Sequence, residues 1–261
     1  MFQTQKSRYT PTTLLETIIV ILLVTASTAT SAEPTDSFNK AKKLLENKVY
    51  YDHRVTLYCG AAFDEKKNVT LPKGFVTSKH KKRAKRIEWE HVVPAENFGR
   101  TFKEWREGHP LCVDSKGKSF KGRNCASKVN KEYRYMQSDL YNLYPAIGAV
   151  NASRSNYNFT MLPQAKPSFG SCAMKIENRK AEPPEAARGV IARTYLYMEQ
   201  RYKRYKMSKQ QRKLMEVWNK QYPVTEWECK RAERIRSIQG NMNSIVNSQC
   251  QDIVSEFNFL R

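Results

Sequence analysis

Two segments of the chain carry the residue types that metal-assisted hydrolysis requires. The first places Glu90 directly before His91, and the second, further along the chain, supplies Asn142 and Asn151. Mg²⁺ prefers oxygen ligands and keeps several waters, so one carboxylate and one amide oxygen are enough protein to hold a hydrated ion. A neutral imidazole can take a proton from an attacking water. The candidates are therefore Glu90 and Asn151 as ligands and His91 as base.

Neither segment is diagnostic by itself. A Glu-His dipeptide is usually an exposed ion pair, and an Asn is more often a turn residue or a helix cap. Adjacent side chains of an extended strand also point to opposite faces. Glu90 and His91 can therefore share a site only at the end of a strand or across a bend, and Pro94 makes such a bend plausible.

The chain is strongly basic, with 46 Lys and Arg against 25 Asp and Glu and a formal net charge of +21. The excess hardly changes without residues 1–32, which contain only Lys6, Arg8 and Glu16 as charged residues. This balance predicts a polyanionic partner. DNA, RNA, an anionic membrane surface and a polysaccharide such as heparin all fit, and charge alone does not choose among them.

Residues 1–32 have the pattern of a secretory signal that is cleaved after Ala32. Two cations precede the apolar run 18–24, and small residues follow it. The run is well short of the roughly 20 apolar residues that span a bilayer, which argues against the alternative of a membrane anchor. Residues 33–261 contain no linker and no internal repeat, and they are predicted to form one domain.

All six cysteines follow the signal segment, and an even count in an exported chain predicts three disulfides. None stands in a Cys-x-x-Cys motif, so a zinc ribbon is poorly supported. Cys112 and Cys125 flank a loop rich in Gly and Lys and are predicted to pair. Three pairings remain open for the other four, which are Cys59, Cys172, Cys229 and Cys250.

Hydrophobic periodicity and capping residues predict the elements that must position these groups. Helices are expected over residues 36–47, from 183 to about 203, and after the capping residues Ser208 and Thr225. Strands are expected over residues 55–59 and 87–93, and a long loop is expected over residues 97–131. The candidate residues thus lie in strand and loop, whereas the C-terminal third is helical.

Short motifs that differ from one another are spread over most of residues 50–250. They include IEWEHVVPA at residues 87–95 and stand further at 98–99, 122–125, 142–143, 145–148, 150–151, 154–156, 183–184, 188–189, 191–195, 221–224 and 227–229. On these motifs the chain resembles bacterial endonuclease I, a family of periplasmic or secreted non-specific nucleases of the ββα-metal, or His-Me finger, class.

The resemblance implies a role for each candidate residue. His91 would be the general base, and Glu90 and Asn151 would hold one Mg²⁺, with Mn²⁺ or Ca²⁺ as substitutes. Arg123 would stabilise the phosphate, because its planar fork can hold two oxygens. Asn142 would orient His91 or the adjoining loop. The implied fold is α+β: a helix-rich mixed domain with a small antiparallel sheet that carries the ββα-metal motif.

The resemblance also implies hydrolysis of DNA and of RNA with weak sequence preference, leaving 5′-phosphate ends. The protein would be a periplasmic or secreted monomer without stable membrane association once the signal is removed. Cations that face the nucleic acid are expected in residues 78–86 and 97–131. The alternative is a secreted polyanion-binding protein without catalysis, which the charge and the disulfides fit equally well.

Two departures from the family pattern stand out. Tyr141 occupies a position where the family usually has His. Two cysteines that many members carry are also missing, because Ala61 follows Cys59-Gly60 and residues 64–90 contain no Cys. The two absences are consistent with the loss of one complete bridge.

Overall fold

Two antiparallel strands and the helix that follows them lie at the centre of the candidate site. The computed structural model describes the backbone of residues 1–4 and 35–259, and the side chains of these residues up to Gln251. The chain divides into two units, residues 1–30 and 31–261, and every element below belongs to the second. The predicted cleavage after Ala32 lies outside the described residues. Within the described part, no helix is long and apolar enough to cross a bilayer.

The second unit is rich in helix and has two small sheets, which confirms the α+β prediction. The helices are α1 (Phe38–Leu44), α2 (Ala95–Gly99), α3 (Lys103–Arg106), α4 (Arg123–Val129), α5 (Lys131–Ser138), α6 (Gly148–Arg154), α7 (Glu185–Arg201), α8 (Lys209–Gln221), α9 (Glu226–Gln239) and α10 (Ser244–Phe259). The strands are β1 (Ile87–His91), β2 (Leu143–Ile147), β3 (Asn158–Phe159), β4 (Lys175–Glu177) and β5 (Lys180–Glu182).

Strands β1 and β2 form the first sheet, which is antiparallel as predicted, with Glu90 opposite Tyr144 and His91 opposite Leu143. Helix α6 begins at the residue directly after β2 and packs on both strands. This strand–strand–helix unit carries Glu90, His91 and Asn151. The second sheet has the order β3-β5-β4 and is mixed, because β3 pairs with β5 in parallel and β4 pairs with it antiparallel.

The capping residues that define the predicted helix starts are in place. Ser37 accepts a hydrogen bond from the Lys40 amide at the start of α1. Ser208 caps α8 and Thr225 caps α9 in the same way, each accepting from the amide three residues later. Helix α1 continues into a π-helical turn at Leu45–Val49, which extends the predicted helix by two residues. Local hydrogen bonding was therefore a reliable guide to where these helices begin.

The predicted strand at residues 55–59 is wrong. The chain instead makes a tight reversal in which the Thr56 amide donates to the Ala61 carbonyl, the Ala61 amide donates to Oγ1 of Thr56, and Gly60 adopts a φ of 60°. Its backbone contacts the first sheet through the Leu57 amide, which donates to the Pro145 carbonyl. The residues that suggested a strand do not pair with a neighbouring strand. Tyr58 and Cys59 instead contact distant residues through their side chains.

Two further predictions need correction. The strand expected to reach residue 93 ends at His91, because the buried guanidinium of Arg154 takes the carbonyl oxygens of His91 and Val92. The long loop expected over residues 97–131 holds α3, α4 and the end of α2, and its longest irregular part is residues 107–122. The glycines that suggested a loop lie at turns and helix ends.

The structure confirms the Cys112–Cys125 disulfide, which closes the irregular segment onto α4. It also decides the pairing that stayed open, with Cys59–Cys172 and Cys229–Cys250 as the other bridges. The first of these ties the reversal around Tyr58 to the segment before β4, and the second joins α9 to α10. Cys125 lies two residues after Arg123, so the Cys112–Cys125 bridge holds the start of α4.

Replacing Cys112 and Cys125 by Ser should lower the free energy of unfolding by about 3 kcal/mol, the value for a closed loop of this size. The bridge spans 13 residues. Urea unfolding of the full mature chain without reductant measures the effect, with wild type under the same conditions as the control, because the other two bridges then remain closed in both proteins. An unchanged unfolding midpoint under oxidising conditions would contradict this.

Candidate active site

The candidate residues meet at one cleft of about 1050 Å³. Glu90, His91, Arg123 and Asn151 all line it, whereas Asn142 is fully buried behind the strand end. Besides Arg123, the cations that line the cleft are Lys42, Lys43, Lys67, Lys82, Arg83 and Arg86. The structure therefore brings four of the five predicted residues to a common, strongly basic surface.

Strand alternation places Glu90 and His91 on opposite faces of β1. Glu90 faces α6, where Arg154 donates to it, and His91 lies against α1, where its ring centroid is 5.0 Å from that of Phe38. His91 is also the last residue of β1. Because both side chains line the same cleft, the cleft extends across the end of the strand. The geometric requirement stated for a shared site is met.

The imidazole of His91 is held in one orientation and one tautomer. Its Nε2 lies 2.8 Å from the carbonyl oxygen of Gln137, and since a carbonyl can only accept, we assign the proton to Nε2. Nδ1 then carries the free lone pair. Burial and the positive charge of Arg123 lower the pKa of His91 to about 3. The ring is therefore neutral at neutral pH and able to accept a proton.

Arg123 is the first residue of α4, and its guanidinium lies 5.1 Å from the ring centroid of Phe38. Its Nε donates to the side-chain oxygen of Gln137 at 3.4 Å. Gln137 thus contacts both His91 and Arg123, through its main chain and its side chain respectively. Sequence reasoning missed Gln137, since it lies in α5 with no motif around it.

Asn142 acts on the backbone that follows His91. Its side chain accepts from the Val93 amide at 2.7 Å and donates to the Val93 carbonyl at 3.0 Å. Its own carbonyl accepts from the Val92 amide at 3.0 Å. These bonds hold the turn that leaves β1, so Asn142 orients the loop rather than a reacting group.

Glu90 is buried, and two side chains hold one of its oxygens. Tyr58 donates to Oε1 at 2.7 Å, and Arg154 donates to the same oxygen at 2.8 Å. Burial raises the pKa of Glu90, and the positive charge of Arg154 counteracts this by stabilising the carboxylate. Arg154 is itself fully buried, and it also donates to the carbonyls of His91 and Val92. Neither Tyr58 nor Arg154 was assigned a role from the sequence.

The oxygens that remain at Glu90 and Asn151 fit a hard cation. Both hydrogen bonds that the described residues make to Glu90 end on Oε1, which leaves Oε2 for a ligand. Asn151 uses Nδ2 to donate to Glu88 at 2.7 Å, which leaves Oδ1. The described residues contain no group of three or more His, Cys, Asp or Glu that could hold a metal. One carboxylate and one amide oxygen instead suit an ion that keeps most of its waters.

The cations expected to face nucleic acid lie only partly where the sequence indicated. Lys82, Arg83 and Arg86 of the 78–86 run line the cleft, but Arg123 is the one cation from residues 97–131 that does so within the described part of the chain. Lys42 and Lys43 of α1 were not anticipated. They reach the cleft because α1 packs against the His91 face of β1.

Tyr141, the departure from the family pattern, lies away from this chemistry. Its hydroxyl is 3.1 Å from the carbonyl oxygens of Ala232 and Asn241, and its ring packs on Tyr197. A residue at this position therefore joins the segment before β2 to the C-terminal helices.

The chain is similar in sequence to known nucleases. A sequence profile of the Endonuclease I family matches residues 37–250. An extracellular deoxyribonuclease of Aeromonas hydrophila is 41% identical over 82% of this chain and 91% of its own length. Endonuclease-1 of Buchnera aphidicola subsp. Baizongia pistaciae is 40% identical over 82% of this chain and 84% of its own. A periplasmic deoxyribonuclease of Aeromonas hydrophila is 38% identical over 88% and 93%.

Removing Arg154 should destabilise the fold strongly, because it leaves the Glu90 charge buried without its cation. We expect Arg154→Met to lower the free energy of unfolding by about 3–5 kcal/mol. Adding Glu90→Gln should recover part of that loss, since the uncompensated charge is then gone. Urea unfolding of the two single variants and the double variant measures the coupling.

The matched control is Arg204→Met, which breaks an exposed pair with Glu132 whose side chains are 41% and 45% accessible. An exposed pair contributes at most about 1 kcal/mol. Equal losses from Arg154→Met and Arg204→Met would contradict the role assigned to Arg154.

Proposed function

Because the chain belongs to the endonuclease I family, we propose that it is a secreted or periplasmic endonuclease that hydrolyses phosphodiester bonds of DNA, and of RNA as well. It requires one Mg²⁺ and leaves 5′-phosphate ends. Mn²⁺ or Ca²⁺ can occupy the same site in place of Mg²⁺. The unit β1-β2-α6 is the ββα-metal, or His-Me finger, motif of the proposal.

The observation that carries the proposal is the cleft itself. A neutral imidazole, one free carboxylate oxygen and one free amide oxygen line the same basic surface, on His91, Glu90 and Asn151. Seven cations in that lining suit a substrate with repeated phosphate charges. A polyanion-binding protein without catalysis would need the charge but not the oriented imidazole.

The proton transfer follows from the tautomer of His91. With Nε2 donating to the Gln137 carbonyl, Nδ1 is free to accept a proton from the water that attacks phosphorus. Glu90 and Asn151 would hold the ion, which when bound neutralises charge on the phosphate, orients the scissile bond and helps the 3′ oxygen to leave. Arg123, next to His91, holds phosphate oxygens with its planar fork.

Arg123 thereby has two effects, one on the substrate and one on the base. Its charge attracts the phosphate, and the same charge contributes to the lowered pKa of His91. The imidazole is consequently unprotonated in the free site, and the same lowering of its pKa makes it a weaker proton acceptor. Gln137 keeps both groups at the end of β1.

Weak sequence preference follows from the type of contact that the cleft offers. Lys and Arg side chains along it suit phosphate oxygens, and backbone contacts position a nucleic acid without specifying its sequence. Each such contact releases counterions, so affinity should fall steeply with salt.

Export is part of the proposal. Residues 1–32 would be removed as a signal, and residues 33–261 would act as one monomeric domain without stable membrane association. Three disulfides support an oxidising compartment. Two relatives are named extracellular and periplasmic deoxyribonucleases, which supports export to the periplasm or to the medium.

Supercoiled plasmid DNA incubated with the full mature protein in Mg²⁺ should become nicked and then fragmented, and excess EDTA should stop the reaction. Agarose electrophoresis measures the conversion, and end-labelling reports the 5′-phosphate. DNA that is retarded in the gel but intact in Mg²⁺ would support the non-catalytic alternative and reject the proposal.

Replacing His91 by Ala should reduce the turnover number by roughly 10²- to 10⁴-fold, because the proton acceptor is lost. Binding to a labelled duplex in EDTA, which removes the metal that cleavage requires, should change little, since the cations of the cleft remain. His109→Ala serves as the control, because it removes an exposed imidazole whose side-chain hydrogen bond among the described residues is to the Leu111 amide in its own loop. If His91→Ala cleaves at the control rate, His91 is not the base.

A further inference from the structure

The amide of Asn151 has a donor end and an acceptor end, and only the acceptor end can bind a cation. Its Nδ2 donates to Oε2 of Glu88 at 2.7 Å. We propose that Glu88 is a positioning residue that selects the amide orientation in which Asn151 presents its oxygen to the metal. This inference rests on the proposed function and deepens it.

Glu88 is itself held at both oxygens. Arg83 donates from Nε to Oε1 at 2.7 Å and from Nη2 to Oε2 at 2.5 Å. Arg83 belongs to a short 3-10 turn, Arg83–Lys85, that precedes β1. A bidentate pair of this kind fixes the plane of the carboxylate. The acceptor for Asn151 is therefore in place without a ligand.

Close approach of these groups depends on a glycine. A Cβ at Gly148 would lie 2.5 Å from the Arg83 carbonyl and 2.9 Å from Oε1 of Glu88. Any larger residue at the first position of α6 would push Glu88 or the Arg83 turn away. Because Gly148 has no side chain, Glu88 can lie within hydrogen-bonding distance of Asn151, which belongs to the same helix as Gly148.

Hydrogen bonding distinguishes the two carboxylates on this face of β1. Both oxygens of Glu88 accept from Arg83 or Asn151, whereas Glu90 accepts both of its described bonds on Oε1. Glu90 consequently retains an oxygen for a cation. Glu88 has committed both of its oxygens and serves to hold Asn151.

The cleft contains a second glutamate that accepts from an Asn and an Arg, and this Asn is not one of the proposed metal ligands. Glu96 accepts from Nδ2 of Asn156 at 2.6 Å and from Nε of Arg100 at 2.7 Å. Glu96 and Asn156 line the same cleft as Glu88 and Asn151. The side chains of Glu88 and Glu96 are similarly accessible, at 31% and 28%. Substituting Glu96 therefore reproduces the loss of charge without disturbing Asn151.

Isothermal titration calorimetry of the full mature protein with Mn²⁺ measures the affinity for the metal and so tests the proposal directly. Glu88→Ala should weaken Mn²⁺ binding by roughly tenfold to a hundredfold, the usual effect of removing a group that orients a metal ligand. Glu96→Ala should change the affinity less than about twofold, because it acts only through a screened charge at the cleft. Thermal unfolding in EDTA verifies that both variants are folded.

The decisive arm repeats Glu88→Ala in an Asn151→Asp background. A carboxylate has two equivalent oxygens and needs no choice of orientation, and Glu88 repels it. Glu88→Ala should therefore leave Mn²⁺ affinity unchanged or increase it in that background. A loss of equal size in both backgrounds would overturn the positioning role, since it would mean that Glu88 binds the metal or supports the fold.

Arg83→Met gives a second measurement that leaves both carboxylates in place. Released from its anchor, Glu88 should hold Asn151 less well, so the Mn²⁺ affinity should fall by less than in Glu88→Ala. Affinity equal to wild type in both Arg83→Met and Glu88→Ala would overturn the inference.

Asn151→Ala separates this inference from the proposed function. If Asn151→Ala weakens Mn²⁺ binding and Glu88→Ala does not, only the positioning role fails. If Asn151→Ala leaves Mn²⁺ binding unchanged, Asn151 is not a ligand, and the metal site of the proposed function fails with it.

Discussion

The buried guanidinium of Arg154 joins the end of β1 to helix α6, and the geometry of the cleft depends on that connection. It donates to the carboxylate of Glu90 and to the carbonyl oxygens of His91 and Val92. Burying a charge is unfavourable unless it is paired and hydrogen-bonded. Because these acceptors lie along one strand end, the requirement of Arg154 for partners stops the strand at His91 and fixes the direction in which Glu90 points.

A second set of contacts fixes the side chains on the opposite face of β1. Gln137 holds His91 through its carbonyl and Arg123 through its side chain, and Asn142 holds the turn that follows. The disulfide at Cys125 keeps the start of α4, and with it Arg123, beside the imidazole. The two faces of one short strand thus have separate supports, so a carboxylate and an imidazole that point apart still line a common cleft.

Local signals in the sequence predicted the helices well, since a cap such as Ser208 or Thr225 bonds an amide three residues away. The Cys112–Cys125 bridge was predictable for the same reason, as it closes a short loop. The strand expected at residues 55–59 failed because Tyr58 and Cys59 are used in contacts with distant residues. The loop expected over residues 97–131 failed because its short helices are stabilised by tertiary packing rather than by propensity.

By itself the sequence determined which chemical groups are available: an adjacent carboxylate and imidazole, an amide, and an excess of cations for a polyanion. It also determined the family, through motifs spread over most of the chain. Of the 46 cations the sequence singled out Arg123, and the tertiary structure decided which of the others line the cleft. Arg154 lies 64 residues from Glu90, and Gln137 lies 46 residues from His91. No local pattern records such partners, because burial and hydrogen bonding across the fold, rather than spacing along the chain, bring them together.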